Sequence, residues 1–442
     1  PNVLKHSFMD TFTAGEVEEE TEVTITAKLE SNPEIISSIK VIVTPKTEEV
    51  IPVNLDEEID FLKQCYEAYM TEDSNGNTGS AGLSMLAPGA ARLAGMDVEN
   101  IQKHLYIDED NKSAYQLSQS IITLIGADLD PRQYKDKSGV RNLVKELEES
   151  QQLVGENLGE FVKANSDKNS IEAQARSIIA LDMAGGKYDE ESAVSRLIEI
   201  YDKKDGSHTY KDIKTEGIVL VALSNHKDID GVEAKVTEIL NYLKTKQNQD
   251  GGFDIKSGFE KGTNSPTATG RVIQGLIANG INPLEDEEWI KNGSTMLNAI
   301  VRSKTVKENM KHSGYGKGEE DEYTYYEATY TAFGALMDLK NQKSMFELLK
   351  LEVDIDAEAH RVEIIKPDKN QIEVGQSLAL TAKVYDKDGK VLQGQELIWE
   401  SSDEGILTVK DGNIEAKSAG EATITVKVKG TEIQDTLEII VI

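Results

Sequence analysis

The hydrophobic pattern of this 442-residue chain changes period twice. From Thr21 to Leu29 apolar and polar residues alternate, with Val23, Ile25, Ala27 and Leu29 on one side and Thr24, Thr26 and Lys28 on the other. That alternation predicts a strand. A second run from Ile36 to Thr44 puts Ile39, Val41 and Val43 on one face, and Glu30-Ser-Asn-Pro33 between the runs is a turn signal. Two strands alone are marginal in water, so the hairpin needs a partner, either upstream chain or another domain. Pro45 and Pro52 mark a linker, and from Asp56 the period becomes helical. Ile59, Leu62, Cys65, Tyr66 and Tyr69 form one apolar stripe. Beyond Val362 the period returns to two. Leu378–Val384 and Ala422–Val428 alternate, and Asp386-Lys-Asp-Gly389 reads as a hairpin turn. Seven or so short strands in about 80 residues predict a β-sandwich.

Between these ends the helices are of two kinds. Nearly apolar, small-residue-rich segments recur at 80–95, 113–127, 170–185, 212–225, 264–280 and 322–339. Amphipathic segments with charged faces lie between them at 139–150, 189–203, 231–247 and 286–303. Two copies align: Leu124-Ile-Gly-Ala-Asp-Leu-Asp-Pro131 matches Leu276-Ile-Ala-Asn-Gly-Ile-Asn-Pro283, each the end of a helix. Ser170-Ile-Glu-Ala173 likewise parallels Ser265-Pro-Thr-Ala268, which predicts Ser170 and Ser265 as N-caps. A helix apolar on all sides must be buried, and an amphipathic one must lie outside it. Such an alternation closes most economically into a ring, which predicts an α/α toroid rather than an open superhelix.

Composition narrows the partners. Lys and Arg number 48 against 79 Asp and Glu, a net charge of −31. The excess is spread along the chain: −6 over residues 1–53, −20 over 54–359 and −5 over 360–442. An evenly acidic surface argues against nucleic-acid partners, which need clustered cations, and against anionic lipid. No apolar run approaches the length of a membrane span. The single cysteine, Cys65, allows neither an internal disulfide nor a thiolate zinc site within one chain, and its stripe reads as core. The chain opens on Pro1-Asn2-Val3, without Met or a leader pattern, and is expected to be a fragment or processed form.

Two family resemblances emerge from particular motifs. Tyr242-Leu243-x-x-x-Gln247-x-x-x-Gly251-Gly252-Phe253 resembles the QW repeat of the prenyltransferase and squalene-cyclase superfamily, with Phe where Trp is usual. In that repeat the Gln ends an outer helix, and the Gly-x-aromatic loop leads into the next inner one. Ser313-Gly-Tyr-Gly316 reads as a decayed second copy. The combination resembles bacterial surface proteins with prenyltransferase-like repeats, whose toroid is similar to that of the cobalamin carriers. This likeness covers about residues 56–350. Ile372-Glu-Val-Gly375, Ile398-Trp-Glu-Ser-Ser402, Gly412-Asn-Ile-Glu-Ala416, Ser418-Ala-Gly420 and Ala422-Thr-Ile-Thr425 resemble, in order, a group 2 bacterial Ig-like domain. Residues 21–45 look like the last two strands of another such domain. The resemblance implies three parts, namely 1–53 (a partial Ig-like segment and linker), 54–351 (the toroid) and 360–442 (an Ig-like domain). It also implies an extracellular location, at the bacterial cell surface or secreted, with the Ig-like domains as spacers.

Each enzymatic reading that the resemblance brings lacks its residues. A class II cyclase needs an Asp-x-Asp-Asp acid, and Asp108-Glu-Asp-Asn111, Asp128-Leu-Asp130-Pro131 and Asp354-Ile-Asp356-Ala357 do not fit. Prenyl transfer needs Asp, Cys and His on zinc, whereas Cys65 precedes the repeats. Gln64-Cys65-Tyr66-Glu67 is not the Cys-x-Glu-Gln of a thioester protein. A glycosidase needs two carboxylates and usually aromatic platforms, and Trp289 stands alone in this region. Asp73-Ser-Asn-Gly-Asn77-Thr-Gly79 begins like a calcium loop but lacks the Gly at position six, and Ser84 replaces the closing Glu, so it reads as a plain loop. His104, His208, His226 and His312 have no ligand spacing.

Binding candidates remain. Arg176 and Arg271 each lie three residues past the aligned Ala173 and Ala268 on otherwise apolar helices. Facing a lumen, they could hold a carboxylate or phosphate; the plainer reading pairs each with an outer-helix carboxylate. Tyr325, Tyr326 and Tyr330, with Tyr323 nearby and Tyr315 in the preceding loop, suit either a mouth that grips sugar or peptide, or simple rim packing. Gln247, Gly251, Gly252 and Phe253 are assigned a structural role in the repeat, and Phe259 likewise wedges the loop. The expected function is non-catalytic binding or adhesion of an extracellular glycan, protein or small molecule. No metal and no obligatory cofactor are expected. The alternatives are a corrinoid or lipid carrier, and an atypical enzyme.

Overall fold

The structure is a computed structural model that describes residues 4–7, 11–14, 17, 20–29, 31–43, 52–70, 85–105, 107, 110–136, 139–168, 170–203, 213–256, 261–308, 310, 312–319, 323–352, 358–367, 369–392 and 394–442. The loop at 73–79, Ser84, His208 and Phe259 fall outside them. The chain divides into two compact units, Pro1–Ile51 and Pro52–Ile442.

In the first unit β1 (Leu4–Ser7) pairs antiparallel with β2 (Thr11–Ala14), and β3 (Thr21–Leu29) with β4 (Asn32–Val43). The β1–β2 hairpin has four-residue strands, too short for the period-two pattern to reveal. The longer hairpin sets Val23 opposite Val41 and Ile25 opposite Ile39, so its alternating residues share a face. Ile35, Ile36, Ile39 and Ile42 of β4 are exposed.

The second unit begins with thirteen helices among the described residues: α1 (Leu55–Met70), α2 (Ala87–Leu93), α3 (Val98–Lys103), α4 (Ala114–Gly126), α5 (Leu143–Glu148), α6 (Ile171–Ala184), α7 (Glu190–Asp202), α8 (Ile213–Leu223), α9 (Val232–Lys246), α10 (Pro266–Ala278), α11 (Met296–Val301), α12 (Tyr326–Asn341) and α13 (Met345–Leu348). Two short hairpins interrupt them, β5 (Tyr134–Asp136) with β6 (Gly139–Arg141) and β7 (Lys304–Thr305) with β8 (Gly314–Tyr315). The apolar helices α2, α4, α6, α8, α10 and α12 pack each on the next, and α12 packs back on α2. Most of their residues are buried, as the lack of a polar stripe requires. Gly217 and Leu220, fifth and eighth in α8, abut Arg271 and Gly275, sixth and tenth in α10, so these helices run in the same direction. A Cβ at Gly217 would sit 2.3 Å from the Arg271 carbonyl oxygen. Only glycine permits that approach.

The aligned helix ends behave alike. Asp128 and Gly280 hold the same position and both are left-handed, with φ of 62° and 80°. The next amide bonds back to Leu124 O in one copy and Leu276 O in the other, each at 2.9 Å. The helix starts differ. Ser170 caps α6 through the Ala173 amide, as expected. Ser265 makes no cap bond: Pro266 occupies the first turn, and the Ser265 amide donates to Phe253 O at 2.7 Å. Two amphipathic segments are shorter than their pattern predicts. Residues 139–141 form β6, with Asn142 capping α5. In 286–303 the turn at Asn292 and Gly293, both with positive φ, and a Thr295–Asn298 capping box confine the helix to α11.

Residues 361–441 carry β9 (Arg361–Ile365), β10 (Gln371–Ile372), β11 (Ser377–Ala379), β12 (Thr381–Tyr385), β13 (Val391–Leu392), β14 (Leu397–Ser401), β15 (Leu407–Lys410), β16 (Asn413–Ala416), β17 (Gly420–Val428) and β18 (Gln434–Val441). They form sheets of order β10-β18-β17-β14, β11-β16-β15 and β13-β12-β9 around a separate core that includes Ile364, Leu380, Ile414, Ile424, Val426 and Ile439. The Asp386 carboxylate takes the amides of Asp388 and Lys390, both at 2.9 Å, and Gly389 closes the predicted turn at φ 82°.

Candidate functional site

The repeat loops position the apolar helices. Gln247 ends α9, and its Nε2 donates to Gly251 O at 2.9 Å and Trp289 O at 2.8 Å. Gly251 turns the chain at φ 94°, Gly252 leaves no room for a Cβ beside Asn264, and Phe253 is fully buried. The Phe253 amide then donates to Thr269 Oγ1, on the first turn of α10. The decayed copy works the same way: the buried Tyr315 amide donates to Thr329 Oγ1 on α12. A third copy escaped the sequence reading. Phe161 is fully buried, its amide donates to Gln174 Oε1 on α6, and Gln151 exchanges two hydrogen bonds with the Asp189 backbone. Its trace is Gln151 followed by Gly159-Glu160-Phe161, hidden because four extra residues separate Gln from Gly. In all three, the aromatic amide docks on the fourth residue of the helix that follows.

That shared anchor sets Arg176 and Arg271 at the same level, on the sixth residues of α6 and α10. Both side chains are buried, at 5% and 3% exposure, while Tyr115, Glu172, Lys214 and Glu327 around them are half-exposed. Arg271 contacts Glu327 Oε1 and Gln274 Oε1, both at 3.3 Å. Arg176 lies 3.8 Å from Glu172 Oε2, and its guanidinium sits 5.0 Å from the Tyr115 ring centre. The pairing carboxylates therefore stand on the apolar helices α6 and α12, not on the amphipathic ones. Burial and the neighbouring Arg176 charge both lower the Arg271 pKa. Burial pushes the Glu172 carboxyl up, but Arg176, Lys214 and Arg271 outweigh it and hold it below its ordinary value. Farther along the bundle, Leu86, Gln274 and Met345 converge beside Gly334, and Met85 touches Arg176.

The tyrosines lie elsewhere. Tyr315 is fully buried and donates to Glu58 Oε2 at 2.7 Å, with its ring edge-on to Phe61. Tyr330 packs edge-on to Tyr66 and Tyr69, and half-exposed Tyr326 joins Tyr69 at 5.0 Å. These rings seal α1 against α12. Tyr325, under the Lys317 ammonium at 5.1 Å, keeps a half-exposed ring, and Tyr323 is exposed. Cys65 is buried, and burial pushes its thiol up to about 12, so it is an unreactive core residue. His226 is buried against Asp182 at 2.9 Å. Among the described residues no group of three or more His, Cys, Asp or Glu is arranged to hold a metal, and no helix is long and apolar enough to cross a membrane.

Comparison with known proteins bears mainly on the C-terminal part. Residues 362–439 match the family model of the bacterial Ig-like domain (group 2). A 48-residue stretch is 50% identical to the polysaccharide lyase 8 family protein HylA of Enterococcus faecalis, covering 11% of this chain and 4% of that protein. The solved structure of surface layer protein SbsC, domains 1–6, aligns over 88% of this chain and 58% of that one, at 11% identity and a TM-score of 0.17, too loose to bear on fold. The chain thus joins a helical region to a C-terminal bacterial Ig-like domain of group 2, a module typical of bacterial surface proteins.

Proposed function

We propose that the chain is a non-catalytic binding module of a bacterial surface protein and acts outside the cell. In this reading residues 54–351 form an α/α toroid of prenyltransferase-like repeats, residues 360–442 an Ig-like domain, and residues 1–53 part of another. Its ligand carries a carboxylate, above all that of an acidic sugar, and Arg176 and Arg271 receive it. The observation that carries this is the pair of buried guanidinium groups at one level of the helical bundle. Like charges drawn together out of water need an anion. Glu172 and Glu327 supply it through contacts of 3.8 and 3.3 Å, longer than the roughly 2.7–2.9 Å of a good charge-assisted bond. A ligand carboxylate spanning both forks improves on that, and the nearby starts of α6 and α10 add partial positive charge. The named polysaccharide lyase relative supports a carbohydrate context. Catalysis is not part of the reading: a general acid needs a raised pKa, and Glu172 is lowered. A carrier role needs an open axis, where Leu86, Gln274 and Met345 meet.

Calorimetric titration with trigalacturonate tests it, on the wild type and on Arg176→Ala and Arg271→Ala. Binding that weakens at least about tenfold in each variant is expected, with Arg271→Lys also impaired because an ammonium lacks the fork. Absence of binding, or equal binding by variants that melt like the wild type, would sink the proposal.

A further inference from the structure

The Ig-like domain docks on the helical region through backbone groups. Asn413 at the start of β16 accepts the Val140 amide at 2.6 Å and donates to the Val140 carbonyl at 3.0 Å, so its side chain satisfies one residue of β6 as a neighbouring strand would. Lys135 Nζ reaches Ala379 O at 3.2 Å, and the Ala382 amide donates to Gln133 Oε1 at 3.1 Å. A Cβ at Gly139 would overlap the Asn413 side chain. The β5–β6 hairpin therefore holds the two parts of this unit against each other.

Docked this way, they leave a cleft of about 1260 Å³. Its helical wall presents Asp110, Asp128 and Tyr134, and its Ig-like wall Thr381, Lys383 and Lys390. Asp128 follows the end of α4, so the cleft lies at the other end of that helix from Tyr115 and the arginine pair. The lining holds charges of both signs, with Asp128 paired to Arg92, Asp110 to Lys112 and Lys390 to Glu352, so it has no field of one sign, and polyanions and polycations gain little from it. Leu105, Ile107, Leu124, Leu129, Val391 and Leu392 add apolar surface, so the lining combines hydrogen-bonding groups with apolar area, as the edges and faces of a sugar ring require. The volume exceeds the roughly 300–1,000 Å³ of small-molecule pockets and leaves room for an oligomer. Half-buried Tyr134 adds a flat ring with a polar tip.

We propose that this cleft, built jointly by the helical region and the Ig-like domain, binds a neutral oligosaccharide. The site is separate from the arginine pair and does not rest on it. It makes the Ig-like domain a working wall of a binding site. The test titrates the whole chain with cellohexaose, xylohexaose and chitohexaose, and with an uncharged Gly-Ser hexapeptide. Variants are Tyr134→Ala, Asn413→Ala, which loosens the docking, and Lys383→Glu, an exposed strand position that leaves the fold intact. At least one hexasaccharide is expected to bind, about tenfold or more weaker in Asn413→Ala and Tyr134→Ala, severalfold changed in Lys383→Glu, and unchanged in Arg176→Ala. The proposal is overturned if no hexasaccharide binds, if Lys383→Glu and Asn413→Ala both bind like the wild type, or if the hexapeptide binds as tightly as the best sugar.

Discussion

Arg196 and Glu160 form an ion pair with both side chains only 1% exposed. Arg196 Nε and Nη2 donate to Glu160 Oε2 at 3.1 and 2.7 Å, Nη2 also reaches Asn157 Oδ1 at 2.9 Å, and Nη1 reaches the exposed Glu199 at 2.7 Å. Glu160 stands between Gly159 and Phe161, inside the third repeat loop. Glu160→Ala strands a guanidinium in the interior, and removing one member of a buried pair costs about 3–5 kcal/mol. The surviving contacts to Asn157 and Glu199 put this variant near the lower bound, about 3 kcal/mol. Arg196→Met leaves a buried carboxylate with less help and falls nearer 4–5 kcal/mol, again as an order of magnitude. Replacing both, Glu160→Leu with Arg196→Met, removes the uncompensated charge, so the double variant loses less than about 2 kcal/mol. Urea unfolding followed by fluorescence measures this cleanly. Trp289 is fully buried in the helical region, and the second of the two tryptophans, Trp399, is removed by a Trp399→Phe background. Single variants within about 1 kcal/mol of wild type, or a double variant equal to the sum of the singles, would refute a pair that is costly only when broken.

Other outcomes follow from the same structure. Burial pushes the His226 pKa down, but Asp182, Glu190 and Asp228 outweigh it and leave it raised above its ordinary 6.5. The protonated form is thus favoured by folding, so its stabilisation is full below pH 6.5 and disappears as pH rises through the folded pKa; His226→Gln should flatten the urea midpoint across that window. Gly217→Ala drives a methyl into the Arg271 backbone and should destabilise by about 1–3 kcal/mol or more, read as a lower thermal midpoint. Gln247→Leu leaves the Gly251 and Trp289 carbonyls without their donor and should cost about 1–3 kcal/mol. Gln151→Leu should behave similarly, since its bonds to Asp189 do the same work; a neutral result would mean the third copy is not an equivalent loop.

Local patterns were readable where one short stretch contains its own physical reason. The helix ends at Asp128 and Gly280 needed only a left-handed residue and a returning amide. The Asp386–Gly389 turn needed only an acceptor side chain and a glycine. Ser265 was misread because its partner, Phe253 O, lies twelve residues back, on the other side of a loop. The tyrosines left two readings open, a mouth or rim packing, because the helix on which Tyr315, Tyr326 and Tyr330 pack, α1, is some 260 residues away in sequence.

The amino-acid order alone carried the change of period, the two kinds of helix, one good repeat motif and the Ig-like strand pattern, because each reflects burial or turn geometry within a few residues. It also singled out Arg176 and Arg271, each the one cation on a mostly apolar helix. Folding decided most of what those charges meet: Glu172 lies one turn before Arg176, but Glu327 on α12 and the mutual repulsion are not local. It decided that most of the tyrosines form a seam, and that the Ig-like domain is fastened through Asn413 to a hairpin 273 residues away. Electrostatics and docking depend on distances in space, and only the closed packing of helices on one another sets those.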